Sequence, residues 1–385
     1  STTLYDCPEW HALQTYNGGD KVGLIPVIRT YADNALDTLH WMEAHGTPVL
    51  NRVSQGAGAL WQRTHQVDAP AGTGLVKPLY DAAIKQGAKI VTGMKAEKLI
   101  VKDGKVVGVS ATDTLGNEYN FMSTYGVILA TGGYSQNKEL RQKSSPVLTP
   151  DMVSTNQPGA TGDGIIMAEK AGAALSQMDL TGPQTVAYDT GHGAVSLTNV
   201  RYNGAILVNQ EGKRFANELG QTAALASAIT KQTGGVAYLI FDQKAVDHAS
   251  LMQAYKARGY FVEAPNLTDL AAKLGINPQA LGATVTQWHT VYDTKQDPVF
   301  GRKDSIFTRI DTAPYYGQKI SPASQTTYGG VMRDAKSRAL RADGSVIPRL
   351  YVAGETASQF GAGVTIAVVL GRLAGTEAAK EVEAK

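Results

Sequence analysis

The sequence predicts an α/β fold interrupted by an α+β insertion, and three observations carry that prediction. Short apolar runs at 126–130, 205–209, 236–241 and 350–353 lack polar alternation, which is the pattern of strands buried on both faces. Two of these runs lead straight into glycine, at Thr131-Gly132-Gly133 and at Gly354-Glu355, and a third glycine turn at 159–164 opens a helix. The stretch 183–318 is more polar and less regular, and reads as an insertion between two α/β portions.

The elements follow from period and punctuation. Ala32, Ala35, Leu36, Leu39 and Met42 recur at helical spacing and predict a helix over 29–45, stopped at Gly46. Leu75, Leu79, Ala82, Ala83 and Ile84 predict a second helix over 73–86, followed by a short strand at Lys89-Ile90-Val91. Residues 96–101 and 106–111 alternate around Lys102-Asp103-Gly104-Lys105, a hairpin signal, and 119–122 adds a further strand. Further helices are expected at 162–175, 266–275, 278–292 and 364–383; Asn266 caps one, and Asn277 with Pro278 begins another.

Composition narrows the function. Glycine makes up 41 of 385 residues, about 11% against a usual ~7%, without a Gly-X-Y period or excess proline. Clustered glycines mark places where backbone turns tightly or comes close to a ligand. A net charge of +2, with no long basic run, leaves nucleic acid without an electrostatic footprint. One cysteine, Cys7, excludes an internal disulfide framework and a cysteine-based metal cluster, and no metal ligand set is expected. No apolar run approaches the length of a membrane span, and no signal peptide opens the chain, so a cytoplasmic setting is expected.

Three constellations carry chemistry. The strand ending in Ala130-Thr131-Gly132-Gly133 lets a ligand lie against bare backbone at a sheet's carboxyl end; otherwise it is a tight turn. Thr161-Gly162-Asp163 stands at a helix start, where free N–H groups favour an anion; an ordinary helix cap reads the same. Near the C-terminus a strand leads to Gly354-Glu355, a carboxylate suited to accept from ribityl or ribose hydroxyls, or else a solvated loop acid. Gly363, Thr365 and Ile366 follow in a glycine turn before the last helix.

These motifs, in this order, resemble the flavoproteins of the fumarate reductase and succinate dehydrogenase family, in the branch that includes 3-ketosteroid dehydrogenases and urocanate reductase. Matching stretches include 32–48, 72–90, 128–137, 159–178, Gly212-Lys-Arg-Phe-Ala-Asn-Glu218, 238–242, Tyr328-Gly-Gly-Val331, 343–348 and 350–355. The resemblance implies a Rossmann-like FAD-binding domain over 1–182 and 319–385, with a capping domain over 183–318 and a small-molecule substrate held between cap and flavin. It implies that Ala130 to Gly133, Thr161 to Asp163, Gly354-Glu355 and Thr365-Ile366 line the FAD. The implied chemistry is hydride transfer at flavin N5, on a C–C bond next to a carbonyl.

The sequence also departs from the family. The expected opening βαβ unit with G-x-G-x-x-G has no counterpart, since residues 1–28 hold only Gly18-Gly19 and Gly23. The reading therefore expects a chain that begins near the end of that unit. It keeps an alternative open: a degenerate binding protein short of FAD, or one subunit of a split flavoenzyme whose partner is an N-terminal segment. An electron donor is the other expected partner. Family arginines for dicarboxylates are replaced by Gln221 and Val246, which turns the expectation away from a dicarboxylate substrate. Tyr328 is expected as acid or hydrogen-bond donor, Gln359 and Gly363 as carbonyl-polarising positions, and Glu218 as a proton relay. Each has a plainer reading: a packed aromatic, a turn, a brace of the cap.

Overall fold

The computed structural model describes residues 5–55, 60–69, 72–144, 149, 151–357, 360, 361 and 363–382. They form two compact units, one over 1–134, 160–180 and 327–385, the other over 135–159 and 181–326. Gln359 lies outside the described residues.

In the first unit, the apolar run 126–130 becomes the strand Val127–Leu129, which pairs in parallel with Val346–Val352 in the register Leu350↔Val127, Tyr351↔Ile128 and Val352↔Leu129. Arg338–Leu340 adds an antiparallel strand on the other side. Ala353 N–H donates to the Leu129 carbonyl at 3.0 Å, so the two glycine turns leave the parallel pair side by side. The helix Val364–Ala379 buries Ile366, Val369 and Leu370 against Tyr31 and Ala32 of the helix Ile25–Ala44. The Asp-Gly hairpin joins Met94–Lys102 to Lys105–Asp113, with Asp103 and Gly104 both at positive φ (51° and 73°) as a primed turn requires. Glu118–Met122 completes that sheet.

The expected strand at Lys89-Ile90-Val91 does not form. The segment has no ladder partner among the described residues, and Ile90 and Val91 remain 48% and 57% exposed. An apolar run becomes a strand only when a neighbour takes up its backbone donors and acceptors. The helix Pro8–Gly18 is the converse case: it buries no residue and carries no apolar stripe for periodicity to detect.

The second unit is far more regular than its composition suggests. Its sheet runs Ile206–Val208, Ala237–Asp242, Tyr315–Thr327, Thr181–Asp189, Ala194–Ser196, with Val262–Ala264 also paired to Tyr315–Thr327. Strand alternation divides the core in two. Ala237, Leu239 and Phe241 face one cluster with Leu225, Ile229, Met252 and Tyr255; Tyr238 and Ile240 face another with Leu270, Leu281, Val285 and Trp288. The helices Thr222–Thr230 and Ser250–Ala257 cover the first face, while Leu267–Leu274 and Pro278–Thr294 cover the second. Residues 135–159 join this unit because Ser324 N–H donates to Val153 O at 2.8 Å and Thr155 N–H to Ser324 O at 3.0 Å. Among the described residues no helix is long and apolar enough to cross a membrane, and no three His, Cys, Asp or Glu side chains gather as a metal site.

Candidate functional site

The first unit brings three of the glycine turns together. Gly132 sits at φ 75°, in the left-handed region where a side chain is strained. Gly133 is buried with no room for a Cβ, which would run into Thr327 Oγ1 and the Glu355 carboxylate. Gly162 N–H donates to the Gly133 carbonyl at 3.1 Å. Gly162 is itself left-handed at φ 75°, and it starts the helix Asp163–Lys170 without a side-chain cap. Gly164 lies bare against Thr131. The Thr356 hydroxyl donates to the Gly132 carbonyl at 3.3 Å and lies 3.4 Å from that of Thr131.

Glu355 is the half-buried acid of this assembly. Its Oε1 accepts from Thr327 N–H at 2.9 Å and from the Thr327 hydroxyl at 3.1 Å. Tyr134 N–H in turn donates to Thr327 Oγ1 at 3.1 Å. Burial pushes the Glu355 carboxyl up from its ordinary value, and the two Thr327 donors oppose that push. The other carboxylate oxygen meets no donor among the described residues and suits a ligand hydroxyl. Thr327 thus ties Tyr134, the residue after Gly133, to Glu355, a role the sequence reading missed; its place directly before Tyr328-Gly329-Gly330 was the available signal.

Tyr328 follows Thr327 and is half-buried, with its N–H on the Leu180 carbonyl at 2.9 Å. Its hydroxyl has no partner among the described residues. Burial first, then the negative field of Glu355, raises the phenol above its usual value, so it stays protonated. Gly329 and Gly330 serve packing: a Cβ on the first would strike the backbone of Gln177 and Met178, one on the second the Thr356 carbonyl.

The remaining expected residues are less confined. Ala130 is exposed, and Thr131, Thr161 and Asp163 are half-buried. Gly363, at φ 129°, caps the last helix without a side-chain bond; Thr365 is exposed, whereas Ile366 packs into the core and has only backbone to offer. Among these turns, the bare Gly132-Gly133 backbone, the hydroxyl-accepting Glu355 and the open helix starts at Gly162 and Gly363 suit a cofactor with a polyol chain and anionic groups.

Glu218 belongs to the second unit and is fully buried. Arg214 forks onto both its oxygens, Nε to Oε1 at 2.7 Å and Nη2 to Oε2 at 2.9 Å, while Arg302 Nη1 reaches Oε2 at 3.3 Å. Arg214 also bridges to Asp297 at 2.8 Å, and both arginines stack over Trp288 with 5.0 Å from guanidinium carbon to ring centre. Leu207 N–H donates to the same carboxylate at 3.3 Å. With its oxygens so occupied, Glu218 has the surroundings of an internal brace.

A sequence profile described as an FAD binding domain matches residues 3–367. The chain belongs to this FAD-binding family. Fumarate reductase (cytochrome) of Shewanella frigidimarina is 34% identical over 98% of this chain and 67% of its own length. NADH:acrylate oxidoreductase of Vibrio harveyi is 31% identical over 94% of this chain and 37% of its own. The open conformation of a flavocytochrome c3 fumarate reductase superposes with a TM-score of 0.86 at 29% identity, covering 98% of this chain and 68% of that one. The chain thus spans from about a third to about two-thirds of the length of these relatives. The mixed α/β fold and the membership expected from the motifs both hold, and FAD is the cofactor of the family.

Proposed function

We propose that this chain is the FAD-bearing part of an oxidoreductase that moves a hydrogen pair on or off a C–C bond next to a carbonyl. The observation that carries the reading is the assembly of Thr131–Gly133, Gly162-Asp163, Thr327 and Glu355 in one unit, around a half-buried acceptor whose second carboxylate oxygen meets no donor among the described residues.

Bound FAD supplies the hydride chemistry at its N5, while the protein holds and orients. Glu355 accepts from a hydroxyl of the polyol chain, with Thr327 fixing the carboxylate in place. Gly132 lets the cofactor lie on bare backbone, Gly133 makes room for Thr327 and Glu355 behind it, and the Gly162 and Gly363 helix starts direct N–H groups at polar atoms. Tyr328 holds a proton on a phenol that burial keeps neutral, and donates it, or a hydrogen bond, to the substrate. Gly363 N–H and Gln359 polarise the carbonyl. Glu218 acts at a distance, through the integrity of its unit. Gln221 and Val246 stand where dicarboxylate binders of this type carry arginines, which favours a substrate with at most one carboxylate. The relatives named for fumarate and for acrylate bracket that choice.

The test is spectroscopic, then kinetic. The purified protein, incubated with FAD and freed of excess, is expected to hold the visible flavin band and to oxidise a reduced viologen dye with a neutral enone or acrylate faster than with fumarate. No retained flavin and no turnover of any of the three would overturn the proposal.

A further inference from the structure

Arg333 is 1% exposed. Its Nε donates to the Ala357 carbonyl at 3.0 Å and its Nη1 to the Ser337 hydroxyl at 3.3 Å; Nη2 is buried without a partner among the described residues. Among the described residues no carboxylate reaches it as an ion pair, and the adjacent Asp334 is engaged by Arg338 at 2.6 Å. Arg214 and Arg302 differ, since both meet the Glu218 carboxylate. Burial draws the Arg333 guanidinium down to about 10, which leaves it charged at neutral pH.

An isolated buried cation is costly, and an apolar side chain of similar size would avoid the cost. Its location suggests what offsets it. Ala357 closes the turn Gly354–Ala357, in which Glu355 receives Thr327 and Thr356 bonds to Gly132. The guanidinium therefore bonds the end of the same short turn that carries Glu355 and Thr356.

We infer that Arg333 is a positioning residue that holds the Gly354–Ala357 turn and, as an uncompensated cation, favours the reduced state of the bound cofactor. The inference rests on the FAD reading of this site. Reduction by two electrons and one proton leaves the flavin one negative charge richer, and a fixed positive charge nearby stabilises that state. One charge across a short stretch of protein interior is worth on the order of tenfold in such an equilibrium.

Arg333→Met and Arg333→Lys are compared with the parent in the FAD-loaded protein, by reductive titration with dithionite against a dye of known potential. The Met variant is expected to bind reduced flavin about tenfold less well relative to oxidised flavin, a midpoint about 30 mV lower for a two-electron couple. The Lys variant keeps the parent potential to within about threefold on the same scale. In the flavin-free protein, the unfolding temperature of Arg333→Met reads the clamp alone, because the variant loses the bonds to the Ala357 carbonyl and the Ser337 hydroxyl; a lower temperature with an unmoved midpoint in the loaded protein leaves only a structural clamp and refutes the charge role. If the Met variant does not fold, Arg333→Gln tests the same loss of charge. Flavin uptake with an unmoved potential in the neutral variant refutes the role of Arg333. Failure of the parent to take up flavin refutes the FAD reading itself.

Discussion

Replacing Glu218 by Ala separates a brace from a proton relay. The carboxylate is fully buried between Arg214 and Arg302, and it also receives the Leu207 N–H. Its removal leaves two guanidinium groups in the interior with, among the described residues, only Asp297 to answer them. Burial already pulls Arg302 below its usual value, with the charge of Glu218 opposing that pull. Breaking a buried ion pair by deleting one partner costs about 3–5 kcal/mol. For a cooperative unit of this size each kcal/mol moves the midpoint about 2–4 °C, so a fall of about 6–20 °C is expected. Differential scanning calorimetry measures it. A triple variant, Glu218→Leu with Arg214→Met and Arg302→Met, should recover most of the loss, because the desolvation cost leaves with the charges. A fall below about 3 °C together with abolished turnover would refute the structural reading and restore the relay.

Two further outcomes test the FAD side. Glu355→Ala removes the acceptor for Thr327 N–H and Oγ1 and for a cofactor hydroxyl; FAD affinity, followed by flavin fluorescence, should fall about 10- to 150-fold, the worth of one charge-assisted hydrogen bond of about 1.5–3 kcal/mol. Tyr328→Phe should leave FAD affinity unchanged and lower kcat about 10²- to 10⁴-fold if the phenol is the proton donor. Because burial raises the Tyr328 pKa, its proton is retained through neutral pH. The kcat of the parent protein should therefore hold past the ordinary tyrosine value of about 10 and decline only as pH rises through the raised pKa, a limb that the Phe variant lacks.

The sequence by itself determined the α/β class, the glycine turns and the family, because these are written in adjacent residues. A buried parallel strand must be apolar on both faces, as at Val127–Leu129, and a chain that turns at once afterwards needs glycine, as at Gly132. Patterning could not reveal the long strand Tyr315–Thr327, whose Gly317, Ser321, Pro322 and Ser324 give no apolar alternation and whose place is set by neighbours distant in sequence. Nor could it show that Lys89-Ile90-Val91 finds no ladder partner among the described residues, since a strand is a property of two segments. Only the tertiary structure decided that Thr327 binds Glu355, that Glu218 is enclosed by arginines, and that Arg333 is buried with no counter-charge among the described residues. Such facts depend on which side chains meet across separations of 28, 84 and 24 residues, and local pattern carries no record of those meetings.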